Sequence, residues 1–274
     1  MTSTRTGVVI VDMFGVRPGR GSALDVLLAE PEVDANAAAA HARGSAADET
    51  VLVTGHDRAG RTFGTRVFNS GGETPFATHS LAGAAACLVR RGLLEPGDVE
   101  RDSDTGRQRL WTDGHEVRVP LAGPAVFERV GRLPGGLASL GAAVTAGVGR
   151  GFTLVRVADD PLAPPVPDLA RLDRTDLTLF AWDAGRAEVR ARVFAPGFGI
   201  PEDAGCLPVA AALALAAATL DPAAREAPIV VRQVTGRGTE SVFTCTAAVR
   251  GDAARVRVDG RVWMATDDER GGTT

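Results

Sequence analysis

Two stretches about half a chain apart share one layout, and this repetition constrains the fold more than any other feature. Arg66-Val-Phe leads through a Gly/Pro-punctuated loop into the Ala-rich run Thr78-His-Ser-Leu-Ala-Gly-Ala-Ala-Ala-Cys-Leu88. Arg192-Val-Phe-Ala-Pro-Gly-Phe-Gly-Ile-Pro-Glu-Asp-Ala-Gly-Cys206 does the same ahead of an Ala/Leu run to Leu220, which Asp221-Pro222 stops. Each reads as strand, loop and helix. Two such units imply a duplicated fold whose halves face one another. Both helix starts, each with unpaired N–H groups and a positive dipole end, would then point into one cleft suited to a small carboxylate.

The rest of the chain is mostly strand. Val8–Asp12 is an unbroken Val/Ile-rich run, Arg17–Ser22 a turn cluster and Leu24–Leu28 a second strand. Asp34–Arg43 is Ala-rich with an acidic start and reads as a helix. Val51–Thr54 and Phe63–Phe68 follow as strands, and Asp102–Gly106 as a loop. A hairpin is expected around Asp113-Gly114, with Arg107–Trp111 and His115–Val119 as its arms. Pro120–Pro124 reads as a connection, Val126–Val130 and Gly151–Val157 as strands, and Pro161–Pro167 as a linker. Leu177–Trp182 pairs with Glu188–Phe194. The C-terminal part is four strands, Ile229–Val234, Val242–Val249, Arg255–Val258 and Val262–Ala265, before a polar tail from Asp267 to Thr274 that is expected to fray. Many strands and few helices make the class α+β. Two lobes are expected, 1–125 and 126–274, with the last strand able to cross back to the first.

Several function classes fall away on composition. The sequence holds no lysine and no tyrosine, and all of its 30 basic residues are arginine. Schiff-base chemistry, pyridoxal enzymes and the P-loop all need a lysine amine. A net charge of −4 gives no reason to expect a nucleic-acid or anionic-membrane partner. No apolar run approaches the roughly 20 residues that cross a bilayer, and the start lacks a signal-peptide layout, so a cytoplasmic protein is expected. The three cysteines, Cys87, Cys206 and Cys245, lack zinc-site spacing. Cys87 and Cys245 lie in apolar patterns and read as small buried thiols. Gly71, Gly72, Gly197 and Gly199 form loops rather than a dinucleotide fingerprint.

The remaining acid–base candidates are few. Glu49 precedes a strand in Ala-Asp-Glu-Thr-Val-Leu-Val. There it is either a solvated edge acid or a proton shuttle over the cleft. Its neighbour Asp48 would point the opposite way in an extended segment. His79 is either a helix cap or a group placed to meet a bound anion. Asp203 could cap the second helix, and Cys206, at that helix start, would have an acidified thiol. His41, His56 and His115 lie in helical, turn and hairpin contexts that suggest structural roles.

These pieces together resemble the PhzF-like isomerase family of phenazine biosynthesis, which has the diaminopimelate epimerase fold. Val8-Val-Ile-Val-Asp-Met-Phe14 and Asp48-Glu-Thr-Val-Leu-Val53 match, the latter where the family favours Ser-Glu-Thr-Ala-Phe-Val. Glu73-Thr-Pro-Phe-Ala-Thr-His-Ser-Leu-Ala-Gly83 looks like Glu-Leu-Pro-Phe-Ala-Gly-His-Pro-x-x-Gly. Arg192 to Ala204 is close to Arg-x-Phe-Ala-Pro-x-x-Gly-x-x-Glu-Asp-Pro. The resemblance implies two similar lobes, each a curved mixed sheet around a central helix, usually in a homodimer. It implies cofactor-independent proton transfer in a site between the lobes, with no metal. Glu49 falls on the catalytic glutamate, His79 on the family histidine and Asp203 on the aspartate of the second motif. Thr78, Ser80, Gly205 and Cys206 would contact a small carboxylate-bearing substrate. Glu49 would move a proton along a conjugated skeleton that itself carries the developing charge.

Departures narrow the reading. Ala204-Gly-Cys-Leu-Pro-Val209 stands where the family has Ala-Thr-Gly-Ser-Ala, so Leu207 replaces a glycine and Pro208 a serine. Thr78 replaces a glycine, Ser80 a proline, and Gly21-Ser-Ala23 stands for Gly-Asn-Pro. These changes argue against the phenazine substrate and for another small unsaturated amino or carboxylic acid of secondary metabolism, such as a pyrroline or alkylproline antibiotic precursor. Two alternatives stand beside this one. In the wider fold, thiols or a threonine–cysteine pair at the two helix starts serve racemases, epimerases and dehydratases, and Thr78 and Cys206 occupy those places. The rebuilt second motif also fits a non-catalytic binding or scaffold protein.

Overall fold

The structure, a computed structural model, describes residues 7–28, 34–74, 78–103, 106–131, 133, 142–170, 174–221, 224 and 227–264. It divides into two compact units, one of residues 1–119 with 261–274 and one of residues 120–260.

In the first unit β1 (Val8–Met13) pairs antiparallel with β2 (Ser22–Leu28), and β2 parallel with β3 (Glu49–Asp57). The crossover between β2 and β3 carries α1 (Ala35–Gly44). Asp34 caps this helix by accepting the Ala37 N–H at 2.8 Å, which accounts for the acidic start. β3 pairs with β4 (Thr62–Asn69), and the two-residue β5 (Gly72–Glu73) folds back on β4. A second crossover, α2 (Thr78–Arg90), joins β4 to the parallel β6 (Gly97–Ser103). β6 continues to β7 (Gly106–Thr112) and the start of β8 (Glu116–Gly131). At the other end of the row, residues 262–264 of β16 (Ala253–Met264) pair with β1.

α2 is buried from His79 through Val89. A helix that is apolar and small all round needs cover all round, and β1, β2, β3, β4 and β7 supply it. Gly83 shows how closely they approach. A Cβ there would lie 2.6 Å from Leu24 Cδ2 and 2.7 Å from Met13 Sδ. α1 lies against Leu27, Leu52 and Phe68 through Ala38 and Ala42 alone of its buried residues.

The second unit repeats the scheme. Beyond β8, β9 (Ala143–Val148) and β10 (Phe152–Arg156) lead to β11 (Leu177–Asp183), parallel to β10, and β12 (Glu188–Ala195). β13 (Ile200–Asp203) turns back on β12. α3 (Leu207–Leu220) then crosses to β14 (Ile229–Val234), parallel to β12, and β15 (Glu240–Arg250) and β16 follow. α3 is buried at Leu207 and from Val209 through Ala218. β9, β10, β12, β14 and β15 surround it. Among the described residues no helix is long and apolar enough to cross a membrane.

Three sequence readings need correction. Pro120–Pro124 is not a connection: β8 runs through it. The prolines sit between the pairing with β7, whose last pair on that side is Trp111↔Arg118, and that with β9, which begins at Ala125↔Val148. Arg255–Val258 and Val262–Ala265 are not two strands. Up to Met264, the last described residue, they belong to β16, because Asp259 and Gly260 face Thr244 and Phe243 of β15 instead of turning. Asp102 and Ser103, read as loop, end β6. The C-terminal tail from Asp267 lies outside the described residues.

Candidate active site

Chain alternation decides which acid of the Asp48-Glu49 pair serves the first unit's interior. Asp48 accepts the Ser22 hydroxyl at 3.0 Å, while Glu49, the first residue of β3, turns toward α2. Glu49 is 2% exposed. Two consecutive residues in the first turn of α2 meet it. The Ser80 hydroxyl donates to Glu49 Oε2, and His79 Nε2 stands 3.0 Å from the same oxygen, close enough for a charge interaction. His79 and Ser80 are themselves buried. A helix start normally leaves side chains to cap its own N–H groups. Here two of them converge on a carboxylate from a strand 31 residues earlier in sequence. Thr78, the first residue of α2, is half-buried, and residues 75–77 of the same motif lie outside the described residues.

In the second unit Asp203 ends β13 opposite Val193 and is buried. It is not the cap of α3. Its Oδ1 accepts the Gly205 N–H at 2.8 Å and so closes the turn ahead of the helix. The N-cap residue is Cys206, whose side chain makes no capping bond. The backbone of Cys206 is gripped instead. Gln233 Oε1 accepts its N–H at 2.6 Å, and Gln233 Nε2 donates to its carbonyl at 2.8 Å. Sequence reasoning passed over Gln233. The available signal was an amide in the Val-rich strand Ile229–Val234, where a fully buried polar group needs a partner. Leu207 is buried and Pro208 falls in the first turn, so Val209 follows a residue with no N–H to offer.

The other cysteines sit in the cores. Burial pushes the Cys87 thiol up to about 11, against the opposing charges of Arg91 and Arg90. Burial raises Cys245 further still. Among the described residues no group of three or more His, Cys, Asp or Glu is placed to hold a metal ion. His41 is tied to a different acid, with Nε2 2.7 Å from Asp25 Oδ2, and Ser45 Oγ donates to that same oxygen at 2.6 Å.

No family model matches this chain, and no curated protein sequence does. Solved structures do. A PhzF-family phenazine biosynthesis protein of Enterococcus faecalis is 19% identical at TM-score 0.76, with 94% of this chain and 96% of that one covered. A Pseudomonas aeruginosa protein described as a predicted epimerase is 23% identical at TM-score 0.67, over 94% and 96% of the two chains. A hydroxyproline epimerase of Agrobacterium vitis, solved with trans-4-hydroxy-L-proline bound, is 11% identical at TM-score 0.60, over 95% and 90%. At these identities the likeness is one of architecture. The chain has the two-lobed fold of the PhzF and diaminopimelate epimerase proteins, a mixed sheet around a central helix in each unit, as its motifs lead one to expect.

Proposed function

We propose that this protein is a cofactor-independent isomerase that moves a proton, and with it a double bond, within a small unsaturated amino or carboxylic acid. One observation carries the reading: a buried carboxylate, Glu49, met on one oxygen by the hydroxyl and the imidazole of adjacent residues at a helix start. Asp25 is met in the same way by His41 and Ser45 and ties α1 to β2; Glu49 differs in that both of its partners come from the first turn of α2. A helix start also carries the N–H groups and positive dipole end that would meet a substrate carboxylate.

In the proposed reaction the Glu49 carboxylate removes a proton from a carbon flanked by the substrate carboxylate and a double bond. The C–H pair delocalises along the conjugated skeleton, and the new carboxylic acid returns the same proton at the far end. Nothing is oxidised or reduced. His79 is placed to share charge with Glu49 as its protonation changes, and Asp203 is proposed as a second polar contact from its motif position. A pyrroline or alkylproline precursor is one such substrate, proposed from the family resemblance; the departures at Leu207–Pro208 and Thr78–Ser80 argue against the phenazine one. A homodimer in the cytoplasm is part of the same reading.

Deuterium uptake from heavy water into a panel of pyrroline carboxylates and β,γ-unsaturated amino acids tests the proposal. Wild type should exchange at least one of them, and Glu49→Gln should be slower by on the order of 10²–10⁴-fold. A Glu49→Gln variant as active as wild type would sink it. A second reading, racemase or dehydratase chemistry on Cys206 with Thr78, is favoured by the half-buried Cys206 at the α3 start and by the likeness to a hydroxyproline epimerase. Full activity of Cys206→Ala excludes it. No exchange with any probe would favour a binding or scaffold protein.

A further inference from the structure

Within the isomerase reading, on which this inference rests, the two oxygens of Glu49 do not have equal roles. Both described contacts end on Oε2: the Ser80 hydroxyl donates to it, and His79 Nε2 stands 3.0 Å away. We infer that Ser80 is a positioning residue that fixes Oε2 and so turns Oε1 toward the substrate as the proton-transferring atom.

The argument starts from geometry. A glutamate side chain has three rotatable bonds, and a carboxylate can present either oxygen by a half-turn of the last one. Proton transfer at carbon tolerates little misplacement, so an unfixed carboxylate would lose rate to unproductive orientations. Glu49 begins β3, where the strand ladder holds its backbone opposite Leu24. Ser80 lies in the first turn of α2 and is fully buried. Its hydroxyl therefore has a short tether, a rigid base and no competing water. A hydroxyl is also the suitable donor. It stabilises the carboxylate without a full positive charge that would hold it permanently ionised, and it can rotate when the acid is protonated. His79 Nε2 stands 3.0 Å from the same oxygen and adds a second contact to it. A proline, which the resembled family has at this place, would offer neither hydroxyl nor N–H.

A positioning role differs from substrate contact in what its loss changes. Ser80→Ala should lower kcat on the order of 10–100-fold while KM stays within about twofold, on whichever pyrroline carboxylate or unsaturated amino acid the wild type exchanges. Ser80→Thr, which keeps the hydroxyl, should recover most of the rate. A loss carried by KM with kcat unchanged would overturn the inference and make Ser80 a substrate contact.

A substrate-free measurement separates this inference from the function it rests on. The infrared difference between wild type and Glu49→Gln isolates the Glu49 carboxylate band. That band should shift in Ser80→Ala and return in Ser80→Thr, with circular dichroism confirming that each variant is folded. A band that stays in place in Ser80→Ala refutes the contact itself. If the band shifts but wild type exchanges no probe, the isomerase reading fails and the Ser80–Glu49 contact stands without the catalytic role assigned to it, which overturns the inference as well.

Discussion

The attachment of α1 to the first unit should depend on one buried acid as much as on its apolar face. Asp25 in β2 is 6% exposed, and its Oδ2 accepts from His41 at 2.7 Å and from Ser45 at 2.6 Å. His41 lies in the last turn of α1 and Ser45 is its C-cap. A hydrogen bond to a charged group contributes about 1.5–3 kcal/mol. His41 keeps a 33% exposed side chain and Ser45 is half-buried, so both regain water when the acid is lost. The low end applies to each, about 3 kcal/mol together. Against this, α1 offers four alanines to Leu27, Leu52 and Phe68. At about 0.8 kcal/mol per buried methyl-sized group, that is a similar sum of about 3 kcal/mol. Asp25→Ala should therefore raise the rate of hydrogen exchange in α1 by about 100-fold, since 1.4 kcal/mol is a factor of ten. His41→Ala and Ser45→Ala should each give on the order of tenfold. Mass spectrometry on peptides spanning Ala35–Gly44 reads the effect under conditions where exchange tracks the opening equilibrium. A change below about threefold for Asp25→Ala would refute the reasoning, and would mean that the alanine face alone holds the helix.

Three further outcomes follow from burial. Gly83→Ala gains about 1 kcal/mol of helix propensity, but its Cβ meets two fully buried side chains below 3 Å, and overpacking costs about 1–3 kcal/mol. The melting temperature should fall; a rise would show that Leu24 and Met13 can move aside. A thiol reagent should titrate one cysteine in the native protein, the half-buried Cys206, and three after denaturation. Because burial holds the Cys87 thiol neutral up to about 11, against an ordinary value of 9.0 when unfolded, its contribution to stability is complete below the lower value. It is lost as pH rises between the two values. Equal denaturant midpoints at both ends of that window, in wild type and in Cys87→Ala alike, would contradict the assignment.

Hydrophobic pattern made legible whatever hydrophobic pattern governs. The Val/Ile runs at Val8–Met13 and Ile229–Val234, and the Ala-rich helices entered at Thr78 and Leu207, lie within a residue or two of where their side chains place them. β6 was not legible, because Gly-Asp-Val-Glu-Arg-Asp-Ser offers a single apolar residue to bury. Its ladders to β7 and β4 hold it, flanked by the cross-strand pairs Arg109 to Glu100 at 2.6 Å and Arg107 to Asp102 at 3.1 Å and by buried Arg101 donating to the Thr65 carbonyl at 3.0 Å. Pairs of that kind depend on register, which one sequence does not reveal. The candidate site divides the same way. That Glu49 and Asp48 face opposite sides follows from alternation. That Ser80 serves Glu49 does not, because nothing local links a helix start to a strand 31 residues back.

The two strand–loop–helix units spend their polar groups at the helix start on different tasks, and this bears most directly on chemistry. In the first, His79 and Ser80 reach out to an acid on a neighbouring strand, so the helix start carries an imidazole and a hydroxyl directed at a carboxylate. In the second, Asp203 closes its own turn through Gly205, Gln233 grips both backbone groups of Cys206, and Pro208 removes a donor from the first turn. The described bonds of Asp203 Oδ1 and of Gln233 there go to backbone and not to another titratable side chain. Proton removal and return by one residue needs one placed acid–base group, whereas two-base racemisation needs a reactive group at each helix start. Within the proposed isomerase reading, the distribution of hydrogen bonds therefore favours Glu49 over Cys206 as the acid–base group.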